Sequence, residues 1–290
     1  MLEIRKNIYV VEGENESRFP FCTGLYLQGR DLRVLVDAGM GRAGMISCIE
    51  AGVDVLILTH SHYDHRSSIR EIPAVPVWCH EQEALYLEDY KLYADATGIT
   101  RSGLDLGRRF EFPVLNVKRR LKGEEEIDLG GLAVRIVHAP GHTPGHIALF
   151  FPEQDFLFSA DVALDPFGPF YGNYFADVDD FIRSIRALKA LSPAAVLSSH
   201  CGPFEDDLGD RFDRYEAIIY ERDRRLLDRI DGPCTAADFH GSNFLYANYP
   251  RPTRMMQWME MIHVEKHLER LVRMGRLRRE GPLFIPLKKG

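Results

Sequence analysis

Short hydrophobic runs separated by glycines fill the first 60 residues. Asn7–Gly13, Gly24–Gly29 and Leu32–Gly39 are rich in β-branched and aromatic residues, a composition that predicts three meandering strands. The pattern then becomes helical over residues 42–51. Val53–Thr59 follows as an apolar run, which is typical of a central strand that is buried on both faces.

The alternation of short strands and helices continues to about residue 200. In the last of these helices, Phe181, Ile185 and Leu188 recur at helical spacing behind Asp177, a residue type that caps helix N-termini. This order predicts two sheets packed face to face with helices outside, an α+β fold in the form of a four-layer αβ/βα sandwich. The further predicted strands are Ala74–Cys79, Leu132–His138, Ile147–Phe151, Phe156–Ser159 and Ala195–Ser199, and the helices are Glu81–Leu92 and Asp177–Leu191.

A different pattern begins after residue 207, where a charged helix over 208–231 ends at a glycine and a proline. Two helical stretches and a pair of short strands follow, which is the order of elements in a winged-helix module. We therefore expect one domain over residues 1–207, and a linker helix with a small winged-helix-like helical domain over residues 208–290. The elements predicted after the charged helix are Thr235–Phe239, Met255–Met274, Leu277–Arg279 and Leu283–Pro286.

Composition places the chain among soluble globular proteins, because 45% of its residues are hydrophobic and 27% are charged. No stretch approaches the roughly 20 apolar residues of a membrane span, so no membrane partner is expected. Five cysteines without a C-x-x-C pair argue against a disulfide framework and favour reduced thiols in the cytoplasm. Residues 251–290 carry ten Lys and Arg against four Asp and Glu, which leaves an acidic main body that argues against a broad nucleic-acid surface there.

Side chains that bind metals are concentrated where the apolar run Val53–Thr59 ends. His60, His62, Asp64 and His65 give four potential ligands within six residues, a composition that suits a metal site and not a core. Three more potential ligands each come first after a later strand-like run, where a sheet would deliver them to the same edge. The sequence therefore predicts one metal-binding rim built from distant parts of the chain. The three later residues are His142, Asp161 and His200.

In order and spacing, these residues resemble the motif series of the metallo-β-lactamase superfamily, which is H-x-H-x-D-H followed by His, Asp and His. The resemblance covers about the first 205 residues and implies a metal-dependent hydrolase with a dinuclear centre. Two divalent ions are expected, with Zn²⁺ as the first choice and Mn²⁺ or Fe²⁺ also compatible with this ligand set. The implied ligands are His60, His62 and His142 for one ion, Asp64, His65 and His200 for the other, and Asp161 bridging both.

The resemblance also implies a reaction and its catalytic residues. A hydroxide that bridges the two ions attacks an electrophilic carbon or phosphorus, so no serine or cysteine nucleophile is needed. Asp64 is expected to share a proton with the bridging water, and Asp161 is expected to pass one to the leaving group. Tyr171 and Tyr174 follow Asp161 in the chain and, as in lactonase relatives, are expected to donate hydrogen bonds to a substrate oxygen.

The favoured substrate is a small ester, thioester or lactone. The C-terminal module resembles the winged-helix tail of a branch of this superfamily that includes hydroxyacylglutathione hydrolases, relatives of glyoxalase II, and an endoribonuclease. Cleavage of RNA or another phosphodiester is therefore one alternative, in which the basic segment 251–290 grips phosphates. A metal-binding regulator that binds DNA without catalysis is a second alternative. The module is also compatible with a wall of the pocket or with a homodimer contact.

Overall fold

Two β-sheets form the centre of the molecule, whose computed structural model describes residues 1–104, 110, 112–242, 244–245 and 253–287. The larger sheet has seven strands in chain order, and the smaller sheet has five. The larger sheet consists of β1 (Leu2–Arg5), β2 (Ile8–Val11), β3 (Gly24–Gln28), β4 (Arg33–Val36), β5 (Val55–Leu58), β6 (Val77–His80) and β7 (Val117–Leu121). The smaller sheet consists of β8 (Glu125–Asp128), β9 (Ala133–His138), β10 (Ile147–Phe151), β11 (Phe156–Ala160) and β12 (Ala195–Ser198).

Helices cover the outer face of each sheet. α1 (Gly41–Ala51) and α2 (Glu81–Glu88) contribute to the apolar cluster on the larger sheet, and α3 (Tyr90–Thr97) packs beside α2. α4 (Val178–Ala190) and α5 (Leu208–Leu227) contribute to the cluster on the smaller sheet. The order helix, sheet, sheet, helix confirms the four layers that the sequence predicted.

Alternate residues of the strands build the core between the two sheets. In β5, Val55 and Ile57 belong to this central core, whereas Leu56 and Leu58 belong to the cluster under α1 and α2. All four side chains are at most 4% exposed, so β5 is buried on both faces, as its apolar run predicted. Burial of each such side chain contributes about 1.5–3 kcal/mol to stability, which makes β5 a rigid base for the residues that follow it.

Strand direction brings several loops to one edge of the sandwich. In the smaller sheet β10 is antiparallel to β9 and β11, and β12 is parallel to β11, so β9, β11 and β12 all run the same way. In the larger sheet β4 and β5 are parallel. The Ile147 N–H donates to the Thr59 carbonyl at 3.0 Å, and this bond joins the end of β5 to the beginning of β10. The loops after β5 and β9 therefore meet.

The helix predicted over Glu81–Leu92 is two helices in the structure. Asp89 has an extended backbone (φ −136°, ψ 107°), and its carboxylate accepts from the Leu92 N–H at 3.0 Å, so it caps α3. An aspartate side chain competes for backbone donors in this way and favours the start of a helix over its interior.

The C-terminal part contains α6 (Arg254–Arg273) and a two-stranded sheet of β13 (Leu277–Glu280) and β14 (Leu283–Pro286). It has an apolar cluster of its own, to which the end of α5 contributes Leu226. Because the earlier turns of α5 pack on the smaller sheet, this helix belongs to both parts. The domain boundary at residue 207 and the winged-helix assignment stay predictions. Within the described ranges, no helix is both long and apolar enough to cross a bilayer.

Candidate metal centre

Three imidazole nitrogens converge just beyond the end of β5. His60 Nε2 lies 3.0 Å from His62 Nδ1 and 3.2 Å from His142 Nε2. The remaining separation, between His62 Nδ1 and His142 Nε2, is 2.8 Å. The first two rings come from the loop after β5 and the third from the loop after β9. All three residues are at most 9% exposed, so their nitrogens meet inside the protein.

A second group of potential ligands lies beside the first. Asp64 and His65 come from the loop after β5, and His200 comes from the loop after β12. Asp64 Oδ2 lies 3.4 Å from His200 Nε2, and one ligand atom of each of the three residues lies within 4.8 Å of the others. The residues that the sequence singled out thus come together at one edge of the sandwich.

The carboxylate of Asp161 faces both groups. Its Oδ2 lies 3.1 Å from His142 Nε2, and its Oδ1 lies 3.0 Å from His65 Nε2. The backbone is turned sharply here, because Ala160 has φ +46°, a region that is unfavourable for any residue with a Cβ. The Asp161 N–H donates to His146 Nε2 at 3.1 Å, which gives His146 a supporting role. One carboxylate oxygen of Asp161 therefore faces each group, an arrangement that would suit a ligand shared by two ions.

The chemistry of these side chains fits a pair of divalent ions. Burial, together with neighbouring histidines, holds the pKa of His60 and of His62 well below the usual value, so both rings are neutral at pH 7. Their lone pairs are therefore available as ligands. His65 Nε2 and Asp161 Oδ1 are buried and lie 3.0 Å from each other, and among the described residues neither makes a hydrogen bond to a group outside the site. Buried polar atoms need partners, and a coordinated cation would satisfy both of them.

In the ligand-type histidines, one ring nitrogen faces the cluster, and the second contacts a neighbouring group. This contact fixes the direction of the first nitrogen and the position of the ring proton. His62 differs from the other four because its Nδ1 faces the cluster and its Nε2 faces outward. In His60 the second nitrogen, Nδ1, lies 3.1 Å from Thr59 Oγ1. The pairs are His65 Nδ1 with Asp37 Oδ2 (2.8 Å), His142 Nδ1 with Phe170 O (2.8 Å), His200 Nδ1 with Ser17 O (2.7 Å) and His62 Nε2 with the Asn173 amide (2.9 Å).

Two buried carboxylates that the sequence analysis did not single out support the ligand loops. Asp37 accepts from the Thr59 N–H at 2.8 Å and is held at φ +63°. Glu83, in α2, accepts from the Ser61 N–H and from the Gly145 N–H, each at 2.8 Å. Asp37 directly follows β4, the parallel neighbour of β5, and that position was the available sign of its role. No pattern in the sequence around Glu83 indicated its supporting role.

Neither Tyr171 nor Tyr174 is among the residues that line the cavity beside the potential ligands. Tyr171 is fully buried, with its hydroxyl 2.6 Å from His267 Nε2 and 2.9 Å from an Arg222 nitrogen. Arg222 can only donate, so the Tyr171 hydroxyl accepts from it and donates to His267. The expected hydrogen bond to a substrate is therefore wrong for Tyr171. Tyr174 packs its ring against the Arg101 guanidinium, 4.9 Å from the ring centre.

A cavity of about 660 Å³ opens onto both groups of potential ligands. Its volume lies in the range of small-molecule sites. Four side chains from the first turns of α6 line it, and aromatic rings outside α6 contribute further apolar surface. The residues from α6 are Met255, Met256, Trp258 and Met259, and the aromatic residues include Phe110, Phe112, Phe167 and Phe170.

The affinity of this site for a divalent ion is expected to increase with pH. Burial lowers the pKa of His65 and of His200, but nearby carboxylates outweigh it, namely Asp161, Asp37 and Asp64 for His65 and Asp161 and Asp64 for His200. They raise the pKa of His65 well above its usual value and that of His200 to about 9. Both rings are thus protonated in the metal-free protein at pH 7, and each must lose its proton before it binds an ion.

Titration calorimetry with Zn²⁺ in buffers of different ionisation enthalpy measures this proton release. The apparent affinity should increase from about pH 6 to about pH 9, by up to roughly tenfold per pH unit for each released proton. A pH-independent affinity without proton release would contradict the paired state of His65 and His200.

A protein-family model described as the Metallo-beta-lactamase superfamily matches residues 19–200. The Probable metallo-hydrolase YflN of Bacillus subtilis is 29% identical over 222 residues, which cover 64% of this chain and 83% of that protein. The acyl-coenzyme A thioesterase MBLAC2 of Gallus gallus is also 29% identical, over 205 residues that cover 64% of this chain and 68% of that protein.

Solved structures show the same fold. The metallo-beta-lactamase family protein TTHA1429 from Thermus thermophilus superposes with a TM-score of 0.80 over 98% of this chain and 100% of that one, at 24% identity. This likeness extends through the C-terminal part. The family match covers more than half of the chain and includes every potential ligand described above. The chain therefore belongs to the metallo-β-lactamase superfamily and is a hydrolase of that fold.

Proposed function

We propose that this protein hydrolyses a small ester, thioester or lactone with an apolar acyl group. The proposal rests on one observation: the same cavity contains the clustered imidazoles and carboxylates and an apolar wall formed by α6. An apolar wall binds hydrocarbon, and it has little to offer a phosphate chain. The name of one relative, an acyl-coenzyme A thioesterase, supports the thioester class.

Two divalent ions are part of the proposal, with Zn²⁺ as the first candidate and Mn²⁺ or Fe²⁺ as alternatives that metal analysis distinguishes. Bound here, such ions lower the pKa of a water molecule and offset negative charge that develops on oxygen. The proposed ligands of the first ion are His60, His62 and His142, those of the second are Asp64, His65 and His200, and Asp161 is proposed to bridge the two.

Asp64 and Asp161 are the proposed catalytic residues because both line the cavity beside the imidazoles. Asp64 would accept the proton of the attacking water, and Asp161 would take over that proton and relay it to the leaving group. Both carboxylates are ionised, since nearby histidines outweigh the effect of burial and keep the pKa of Asp64 and of Asp161 below its usual value. An ionised carboxylate is the state that proton acceptance requires.

The charges of the C-terminal part favour this function over cleavage of RNA. Four of the six described arginines of the basic segment 251–290 already face carboxylates, so less positive charge is left there to grip a phosphate backbone. We propose that residues 1–207 carry the catalysis and that residues 208–290 shape the pocket. The pairs are Arg270 with Asp223 and Asp179, Arg273 with Asp179, Arg278 with Glu280 and Arg279 with Glu269.

A substrate panel tests the proposal. Metal-loaded protein is assayed with S-acyl glutathiones, acyl-coenzyme A thioesters, acyl-homoserine lactones, bis-p-nitrophenyl phosphate and single-stranded RNA. We expect turnover of a thioester, ester or lactone, with little turnover of the phosphodiesters. Turnover of RNA alone would favour the phosphodiesterase alternative over the proposed function. Turnover that a chelator does not inhibit would contradict the proposed dependence on metal.

Met259→Glu is expected to impair long acyl substrates selectively, because it places a carboxylate in the apolar wall. Each buried methylene contributes about 0.8 kcal/mol, so kcat/KM for an octanoyl ester should fall about 10–100-fold while the acetyl ester changes little. The measurement is kcat/KM across an acyl-length series. Met274→Glu is the matched control, since Met274 is half exposed just beyond α6. Equal losses for both chain lengths would contradict an acyl-binding role for this wall.

A further inference from the structure

His263 and His267 lie one helical turn apart in α6, and both are fully buried. Neither belongs to the groups of potential metal ligands in the described part of the chain. Buried ring nitrogens need hydrogen-bond partners, because an unpaired one is costly. For both histidines a partner is Tyr171, in the loop between β11 and α4. This loop is also the source of the Phe170 carbonyl that faces His142.

A single peptide group lies between His263 and His142. Its N–H, from Tyr171, donates to His263 Nε2 at 3.0 Å. Its carbonyl, from Phe170, accepts from His142 Nδ1 at 2.8 Å. His263 Nδ1 in turn donates to the Met259 carbonyl at 3.0 Å. An unbroken series of hydrogen bonds therefore joins the backbone of α6 to the ring of His142.

The protonation state of His263 suits this arrangement. Burial, and then the positive charge of Arg222, hold the pKa of His263 well below its usual value. The ring is therefore neutral, with its proton on Nδ1 and a lone pair on Nε2 for the Tyr171 N–H. An amide that donates through its N–H has a more polarised carbonyl, which accepts more strongly in turn. A stronger acceptor on Nδ1 makes His142 a more basic and better directed ligand.

The same loop is fixed at further points by α5 and α6. The Tyr171 hydroxyl donates to His267 Nε2 at 2.6 Å, and His267 Nδ1 donates to Asp223 at 2.7 Å. Arg222 donates to two carbonyl oxygens of the loop, each at 2.6 Å. Close packing adds to this, because a Cβ at Gly172 would lie only 2.8 Å from His263 Cε1. The loop is thus held in one position relative to His263.

We propose that His263 is a positioning residue of the metal centre, which sets the direction and basicity of His142 through the Phe170–Tyr171 peptide. The inference rests on the proposed function, because it takes His142 as a metal ligand. It assigns the C-terminal part a role beyond the pocket wall: α6 supports the metal site from behind. A chain without α6 would lose this support while keeping every ligand.

The test compares metal binding by His263→Leu, His263→Gln and the control His240→Leu, an exposed histidine of the same C-terminal part. Zn²⁺ dissociation constants are measured by competition with a chromogenic chelator, and the ligand-field absorption of the Co²⁺-loaded proteins is recorded. His263→Leu should weaken binding about 10–100-fold, the usual effect of losing an outer partner of a ligand, and shift the Co²⁺ bands. His263→Gln should recover most of the affinity, because its amide oxygen can accept from Tyr171.

A purely structural role for His263 would lower the melting temperature without changing the Co²⁺ bands. Unchanged Zn²⁺ affinity and Co²⁺ bands in His263→Leu would overturn the inference while leaving the proposed function intact. Wild-type protein that binds no metal would instead overturn the proposed function, and this inference with it. Gly172→Ala provides a second variant should His263→Leu not fold. It displaces the ring of His263, so unchanged Zn²⁺ affinity there would also overturn the inference.

Discussion

Replacing His60 and His62 together by alanine is expected to abolish metal-dependent hydrolysis. The two rings supply two of the three imidazole nitrogens that converge beyond β5. Their loss leaves His142 and Asp161, and two protein ligands are fewer than a catalytic zinc site uses. Without the first ion, a water molecule would be held by at most one cation instead of two, so its pKa would be lowered less and kcat/KM should fall by at least roughly a thousandfold.

The measurement pairs kcat/KM for the best substrate of the panel with elemental analysis of the purified protein. We expect the double variant to lose the first ion, and circular dichroism to show a retained fold, since the sheets and their cores lie outside this cluster. His240→Ala is the control, because His240 is exposed in the C-terminal part. A double variant that keeps its full metal content would show that neither histidine is a needed ligand, and wild-type turnover by a metal-free variant would show that the hydrolysis does not depend on metal.

The sequence predicted that these potential ligands meet at one edge of the sandwich because local rules place them there. The run before His60 is apolar throughout because β5 is buried on both faces. The change from apolar to polar residues therefore marks where the strand ends. Asp161 and His200 likewise follow buried strands, β11 and β12, which are parallel neighbours. Parallel strands end at the same edge, so the order of the chain alone brings these residues near one another.

The edges of the sheets were harder to predict. β7 (Val117–Leu121) and β8 (Glu125–Asp128) were not predicted as strands, because both are rich in charged residues that are depleted from strands in general. β7 pairs with β6, and β8 pairs with β9. Neighbouring strands supply the hydrogen bonds that stabilise these two, and such long-range pairing leaves little trace in local composition.

Contacts that distant helices make with the site were not predicted, for the same reason. Tyr171 follows Asp161 at a distance that suited a substrate contact, yet α5 and α6 bury its hydroxyl. Asn173, two residues later, lines the cavity instead. Which side chain of a loop faces the site depends on what packs against the loop from distant helices. That information is absent from the spacing of the motif.

Glu83→Ala is expected to have the second largest effect, because one buried carboxylate joins two ligand loops. Glu83 accepts from the Ser61 N–H, between His60 and His62, and from the Gly145 N–H in the loop of His142. Alanine leaves both buried donors without this acceptor, at about 1–3 kcal/mol each. We expect a loss of about 3 kcal/mol in the free energy of unfolding, measured by urea denaturation, and a 10–100-fold weaker affinity for Zn²⁺.

Glu83→Gln separates the hydrogen bonds from the side-chain volume. A glutamine offers one carbonyl oxygen, so one N–H keeps an acceptor while the other faces an NH₂ group. Its losses in stability and Zn²⁺ affinity should therefore lie between those of the wild type and of Glu83→Ala. Glu81→Gln is the matched control, because Glu81 is an exposed carboxylate in the same first turn of α2. If Glu83→Ala behaved like this control in both measurements, the two loops would not depend on Glu83, and the converging nitrogens would owe their positions to the sheets alone.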